Sequence, residues 1–234
     1  MGLAVRIIPT ILCRGRTMVK GQQFNAWRSV GLAAQAVRIH QQRGVDEVCL
    51  LDIGATPEGR GPDLDLVREL SEDCFSPLAV GGGVRTVEDV RALFRAGADK
   101  IVIRTGSPGL VKEAAGVVGR QAVVAALDYG PGQTPAVIRA REWEIAGAGE
   151  ILLTSMEREG MMVGYDLETI AAVARAVDIP VIAHGGCGTY QHMVEAVEAG
   201  ASAVAAGAMF QFTDQTPRGA AEYLAQHGIE ARVQ

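Results

Sequence analysis

One offset constrains this chain more than any other feature. Pro77 and Pro180 stand 103 positions apart, and so do Gly82 and Gly185, Gly83 and Gly186, Thr86 and Thr189, and Gly97 and Gly200. The same spacing relates Glu47-Val-Cys-Leu-Leu to Glu150-Ile-Leu-Leu-Thr, and Gly61-x-Asp63-Leu64 to Gly164-x-Asp166-Leu167. An ungapped repeat of this length is two copies of one structural half, with boundaries near 1–120 and 121–234. Each copy alternates short apolar runs ending in glycine with amphipathic segments. Buried parallel strands covered by helices read this way.

The runs predict strands at Val5–Leu12, Asp46–Ile53, Leu78–Val80, Lys100–Arg104, Ala122–Asp128, Glu150–Ser155, Val181–His184 and Ala203–Ala206. Helices are expected between them, Asp63 and Thr86 standing where N-caps would. The stretch from Cys13 to about Val30 lacks helical periodicity and is expected to be a long functional loop. Eight such units in two equal halves predict one (β/α)8 barrel, a TIM barrel, spanning 1–234 as a single domain. A doubly wound sheet could use the same alternation but has less reason to repeat in halves.

Bulk properties exclude some functions. With 48% hydrophobic and 21% charged residues and a net charge of −5, the composition is that of a soluble globular protein and gives no reason to expect nucleic-acid binding. No apolar run is long enough to span a membrane, and no secretory signal is visible, so a cytoplasmic location is expected. Cys13, Cys49, Cys74 and Cys187 show no metal-binding spacing, so neither a metal nor a cofactor is expected.

Barrel enzymes place their chemistry at the C-terminal ends of the strands. The ends here carry Gly82-Gly83, Thr105-Gly106, Gly185-Gly186 and Gly207-Ala208. Small residues there let a phosphate approach backbone N–H groups, and two facing sites would suit a ligand phosphorylated at both ends. Tight turns alone would also call for glycine. Asp128 ends the fifth strand, a candidate acid, base or ligand contact; its first-half counterpart is Leu12. Asp52 is read as a ligand or loop contact. At the opposite ends stand Arg6, Glu47, Lys100 and Glu150, whose alternating charges read from the residues alone as a salt-bridged floor.

Arg6-Ile-Ile-Pro, Val19-Lys-Gly, Leu51-Asp-Ile, Val80-Gly-Gly-Gly, Gly97-Ala-Asp-Lys, Gly147-Ala-Gly-Glu-Ile-Leu-Leu-Thr and Gly164-Tyr-Asp together resemble the cyclase subunit of imidazole glycerol phosphate synthase over nearly the whole chain. The resemblance implies a glutaminase docked on the barrel floor and ammonia passing through the barrel. Arg6, Glu47, Lys100 and Glu150 then match the gate of the channel, and Asp99 an interface acid. It also implies substrate contacts for Lys20, Thr154 and the phosphate loops. The family's second catalytic aspartate is Leu12 here, Arg104 replaces an asparagine and His184 a serine. Loss of a general acid or base costs about 10²–10⁴ in rate, which puts cyclase activity of its own in question.

Ile7-Ile-Pro-Thr-Ile-Leu, Cys74-Phe-Ser-Pro-Leu and Gly200-Ala-Ser-Ala-Val-Ala-Ala-Gly-Ala-Met-Phe resemble a diverged branch associated with surface-polysaccharide loci. There the barrel and its glutaminase are thought to supply ammonia to a sugar amidotransferase that turns an acetamido group into an acetamidino group. The alternatives are an authentic cyclase subunit, a non-catalytic scaffold that activates a glutaminase, and, ranked last, an isomerase of the same half-barrel design.

Overall fold

The computed structural model describes residues 4–104 and 108–232. The strands are β1 (Arg6–Arg14), β2 (Thr17–Gln22), β3 (Asn25–Leu32), β4 (Val48–Asp52), β5 (Leu78–Gly81), β6 (Lys100–Arg104), β7 (Val123–Tyr129), β8 (Glu150–Ser155), β9 (Val181–His184) and β10 (Ala203–Ala206). The helices are α1 (Ala33–Gln42), α2 (Leu64–Asp73), α3 (Val87–Arg95), α4 (Pro108–Val118), α5 (Ala136–Ala146), α6 (Leu167–Ala174), α7 (Tyr190–Glu198), α8 (Ala208–Phe212) and α9 (Pro217–Gln226). Strands β1 and β4 to β10 pair in parallel in chain order, and β10 returns to β1 with Arg6 opposite Ala203 and Pro9 opposite Ala206. The sheet therefore closes into the expected (β/α)8 TIM barrel.

The repeat is visible in the local chemistry. Asp63 and Asp166 both cap helices, accepting from the backbone N–H of Leu66 and Thr169, and Thr86 and Thr189 do the same for Asp89 and His192. Thr86 forms a full capping box, because Asp89 returns a bond to the Thr86 N–H. Each such cap contributes about 0.5–2 kcal/mol. Between the barrel and its helices, Ile7, Ile11, Leu50, Leu66, Leu93, Ile103, Leu127 and Ile151 are almost fully enclosed. Burying side chains of that size is worth about 1.5–3 kcal/mol each.

Alternate residues of each strand face the barrel axis. There the wall consists of Ile8, Cys49, Ala79, Val102, Val124, Ala126, Leu152, Ile182, Ala203 and Ala205. Barrel interiors are usually filled by bulky branched side chains; here half of that wall is branched, Ile8, Val102, Val124, Leu152 and Ile182, and the other half is four alanines and a cysteine.

Three expectations need correction. The first strand does not end at Leu12 but runs on to Arg14, and the stretch expected to be a loop is an antiparallel hairpin, β2–β3. Met18 pairs with Cys13 and Thr17 with Arg14, so the hairpin is an extension of β1 beyond the barrel rim. Its apolar alternation is short and its outer strand is largely exposed, which hid it from a search for buried runs. The short helix α8 was also not expected.

Candidate active site at the barrel mouth

The strand ends bring Leu12, Asp52, Arg104, Asp128, Thr154 and His184 to one rim. Register fixes the relation between the two halves: Asp128 lies opposite Thr154, and Leu12 lies opposite Leu51. Thr154 and Leu51 are repeat mates, so Leu12 occupies the same place in the first half that Asp128 occupies in the second. It is buried and apolar.

Asp128 is held on three sides. Arg104 Nε donates to Oδ2 at 2.7 Å, Arg139 donates to the backbone carbonyl at 2.8 Å, and Thr154 also bonds the carboxylate. Burial pushes the carboxyl above its usual range, and the Arg104 charge only partly offsets this. Arg104 is itself largely exposed, so water weakens its hold. A carboxyl poised in this way can exchange a proton nearer neutrality than a free aspartate.

Thr154 Oγ1 and His184 Nδ1 share a hydrogen bond of 3.0 Å. Burial lowers the imidazole to about 3, with the Lys20 charge adding to the effect, so His184 is neutral at physiological pH.

Asp52 is engaged otherwise. It accepts from Arg60 Nη1 at 2.7 Å and Nη2 at 3.1 Å, and from the N–H groups of Gly54 and Ala55. Those bonds use its lone pairs to fix the loop after β4. Of the two readings of Asp52, the structure supplies contacts for the loop one.

The glycine pairs also have local work. Gly82 and Gly186 sit at φ +113° and +105°, where a side chain would be strained, and a Cβ would strike the Asp52 carbonyl at the end of β4 in the first case and the Gly164 carbonyl of a neighbouring loop in the second. Close packing accounts for both. Thr105 and Gly106 lie outside the described residues. Gly207 and Ala208 differ from the rest. A Cβ on Gly207 would collide with Lys20 Nζ, so a long cation lies against the end of β10.

Lys20 reaches that place because the hairpin folds inward across the mouth. Its ammonium donates to the Thr10 carbonyl at 3.3 Å and is almost fully enclosed. Burial lowers it to about 8, with Glu159 opposing the shift. The hairpin tip then docks on the loop after β8: Gln23 N donates to the Glu159 carbonyl at 2.8 Å and Gln23 Nε2 to the Glu157 carbonyl at 2.9 Å. Gln23 and Phe24 both adopt positive φ, an arrangement usually reserved for Asn-Gly and held here by those contacts.

Glu159 escaped the sequence reading, because a glutamate in Glu157-Arg-Glu-Gly looks like part of a solvated loop. In the structure it is buried, one carboxylate oxygen has no partner among the described residues, and burial raises its carboxyl while Lys20 lowers it. Arg60 and Arg139 were missed too, being loop and helix residues with no motif around them.

At the opposite face the four sequence-predicted charges do meet. Arg6 contacts Glu47 at 2.6 Å and Glu150 at 2.7 Å, and Lys100 contacts the same two carboxylates at 2.7 and 3.0 Å. Each acid touches both bases, which closes the floor. Asp99 lies beside it, exposed, and accepts from the Leu78 N–H at 2.9 Å.

Fold and site together define a (β/α)8 barrel with its polar and titratable groups collected at the C-terminal strand ends and an ionic ring across the other end. The family model described as histidine biosynthesis protein matches residues 6–216, and the chain belongs to that family. This membership fits a cyclase-subunit-like protein, and such subunits usually work with a glutaminase partner. No helix among the described residues is long and apolar enough to cross a membrane.

Proposed function

We propose that this chain is the ammonia-channelling barrel subunit of a glutamine amidotransferase system. A glutaminase docks at the floor, the ring of Arg6, Glu47, Lys100 and Glu150 gates the interior, and ammonia leaves at the mouth. The acceptor is a sugar whose acetamido group becomes acetamidino in surface-polysaccharide synthesis, on a separate sugar amidotransferase. The observation that carries this reading is the interior itself: a charged floor beneath an apolar axis, half of whose wall is alanine and cysteine.

The floor supports a partner in a second way. Phe75, in the connection before β5, and Ile145, in the last turn of α5, are 90% and 86% exposed. A groove of about 690 Å³ beside Ile145 is lined by Arg120, Gln121, Glu144, Asp178 and Ile179. Large apolar side chains left in water beside a polar groove are the usual composition of a protein interface.

The mouth supports divergence from the cyclase reaction. Leu12 cannot transfer a proton, and Asp128, its register mate, is bound to Arg104. A second reading, an authentic cyclase subunit, draws on Asp128 with its raised carboxyl pKa and on Lys20 as a phosphate contact beside Gly207.

The test is ammonia-dependent turnover of the phosphoribulosyl-formimino aminoimidazole carboxamide ribotide by the purified chain under saturating ammonium. Turnover near that of a cyclase subunit would overturn the proposal in favour of the second reading. Absence of turnover, together with stimulation of a glutaminase by the same preparation, is the expected result. Replacing Phe75 and Ile145 with serine should abolish that stimulation.

A further inference from the structure

Between the ionic floor and the mouth, the inward-facing side chains of the described residues are apolar with one exception. Thr10 stands one inward position above Ile8 on β1, beside Cys49 of β4, and is 3% exposed. Ile7 and Ile11 pack outward against the helices and Ile8 packs inward, so strand alternation aims Thr10 at the axis. Its Oγ1 has no hydrogen-bond partner among the described residues. A buried hydroxyl left unpaired is destabilising, and a valine of the same shape would fill the place without that cost.

The surroundings restrict what this hydroxyl could serve. The wall around it offers no carboxylate, so nothing compensates a cation there. Directly above, the Lys20 ammonium lies on Thr10's own carbonyl and opposes entry of a second positive charge. About 13 Å below, at the foot of the same strand, the ring presents Arg6 and Lys100 with carboxylates already paired. A small neutral molecule able both to donate and to accept one hydrogen bond fits this place; ammonium does not.

We infer that Thr10 Oγ1 is a way-station for neutral ammonia inside the barrel, the one polar foothold among the described residues between the gate and the mouth. The inference rests on the channel reading above and names the residue that lets an apolar bore pass a polar molecule. Ammonia released at the floor exchanges its hydration for a bond to Thr10 and then meets the polar groups of the mouth.

The experiment is a methyl NMR titration of the full chain with ammonium chloride in alkaline buffer, where neutral ammonia is abundant. Potassium chloride at equal ionic strength is the control. The inward methyls of Ile8, Ala126 and Ala205 report. Saturable shifts with ammonia and none with potassium are expected. Thr10→Val should raise the half-saturating concentration roughly 2–10-fold, the worth of one hydrogen bond, while Thr10→Ser should stay within about twofold of the parent. Equal half-saturation in Thr10→Val and the parent, or shifts that potassium reproduces, would overturn the inference. Thr10→Val preserves side-chain shape, and its thermal unfolding checks that it folds. Because the titration uses the isolated chain, its failure leaves the docking result untouched, and failure of docking leaves the titration readable.

Discussion

Deleting a balanced pair of charges from the barrel floor should cost clearly less than the sum of deleting its two members singly. In Lys100→Met, Glu47 and Glu150 are left sharing Arg6 alone. Their side chains are 3% and 11% exposed, so water does little to replace the lost partner. Breaking a buried pair by removing one member typically costs 3–5 kcal/mol. Arg6 still reaches both acids, at 2.6 and 2.7 Å, and Lys100 retains some solvent contact. We therefore expect about 2–3 kcal/mol for Lys100→Met and about 2 kcal/mol for Glu47→Gln. The double variant leaves Arg6 with Glu150, a neutral floor, and should cost about 1–2 kcal/mol less than the sum. Urea unfolding of the four proteins, followed by circular dichroism and by tryptophan fluorescence, measures the cycle. The predicted coupling should survive added salt, because the pairs are shielded from counter-ions. Additivity within about 0.5 kcal/mol, or a coupling that salt abolishes, would refute the idea that the ring acts as one charge-balanced unit.

Three further outcomes follow from the mouth and its hairpin. His40 and His184 are held neutral by burial, at about 4 and about 3, so the unfolded chain binds protons that the folded chain refuses. Stability should be full above about pH 6.5 and fall as pH drops from there towards 3–4, with His184→Asn flattening the slope in a pH series of urea melts. Phe24→Gly, which leaves the Gln23 docking contacts in place, should relieve one positive-φ residue and raise stability by roughly 0.5–1 kcal/mol, whereas Gly160→Ala should undock the hairpin, because its Cβ would strike the Gly21 carbonyl; limited proteolysis within residues 15–32 reports the second effect. Leu12→Asp restores a carboxylate in register with Asp128. It should cost roughly 2–4 kcal/mol in stability by burying a polar group, and any ribotide turnover it confers would show that only this carboxylate was missing.

The architecture was legible because a repeat imposes the same evidence twice. Asp63 and Asp166, or Thr86 and Thr189, each make a weak cap signal alone, and the common offset turns four weak signals into one barrel. The ionic floor was legible for a similar reason: Glu47 and Glu150 are repeat mates at strand starts, where inward direction follows from the alternation. The mouth was harder to read. The contacts of Lys20 depend on a hairpin whose strands carry little apolar pattern, and Glu159 becomes part of the site only because that hairpin docks on it. Asp52 could be named from its strand-end position, but its capture by Arg60 is a loop-to-loop contact that strand and helix periodicity does not encode. Arg104 was noticed as a substitution; its ion pair with Asp128 needed the relative placement of two adjacent strand ends.

The pairing of β1 with β10 also governs the order in which the chain can assemble. Val5 donates to the Glu230 carbonyl, and Arg6–Pro9 finds its partner only in Ala203–Ala206. Until the last strand has been synthesised, β1 is an open edge with unsatisfied N–H and C=O groups below Cys13, since the hairpin covers only its upper end. Closing so long a loop adds little equilibrium cost, because the entropy grows only logarithmically with length. It does delay the moment of closure, and long-range pairing of this kind slows folding. A growing chain therefore carries a sticky strand edge through most of its synthesis, and sealing that edge is the last event that makes the barrel safe from its neighbours.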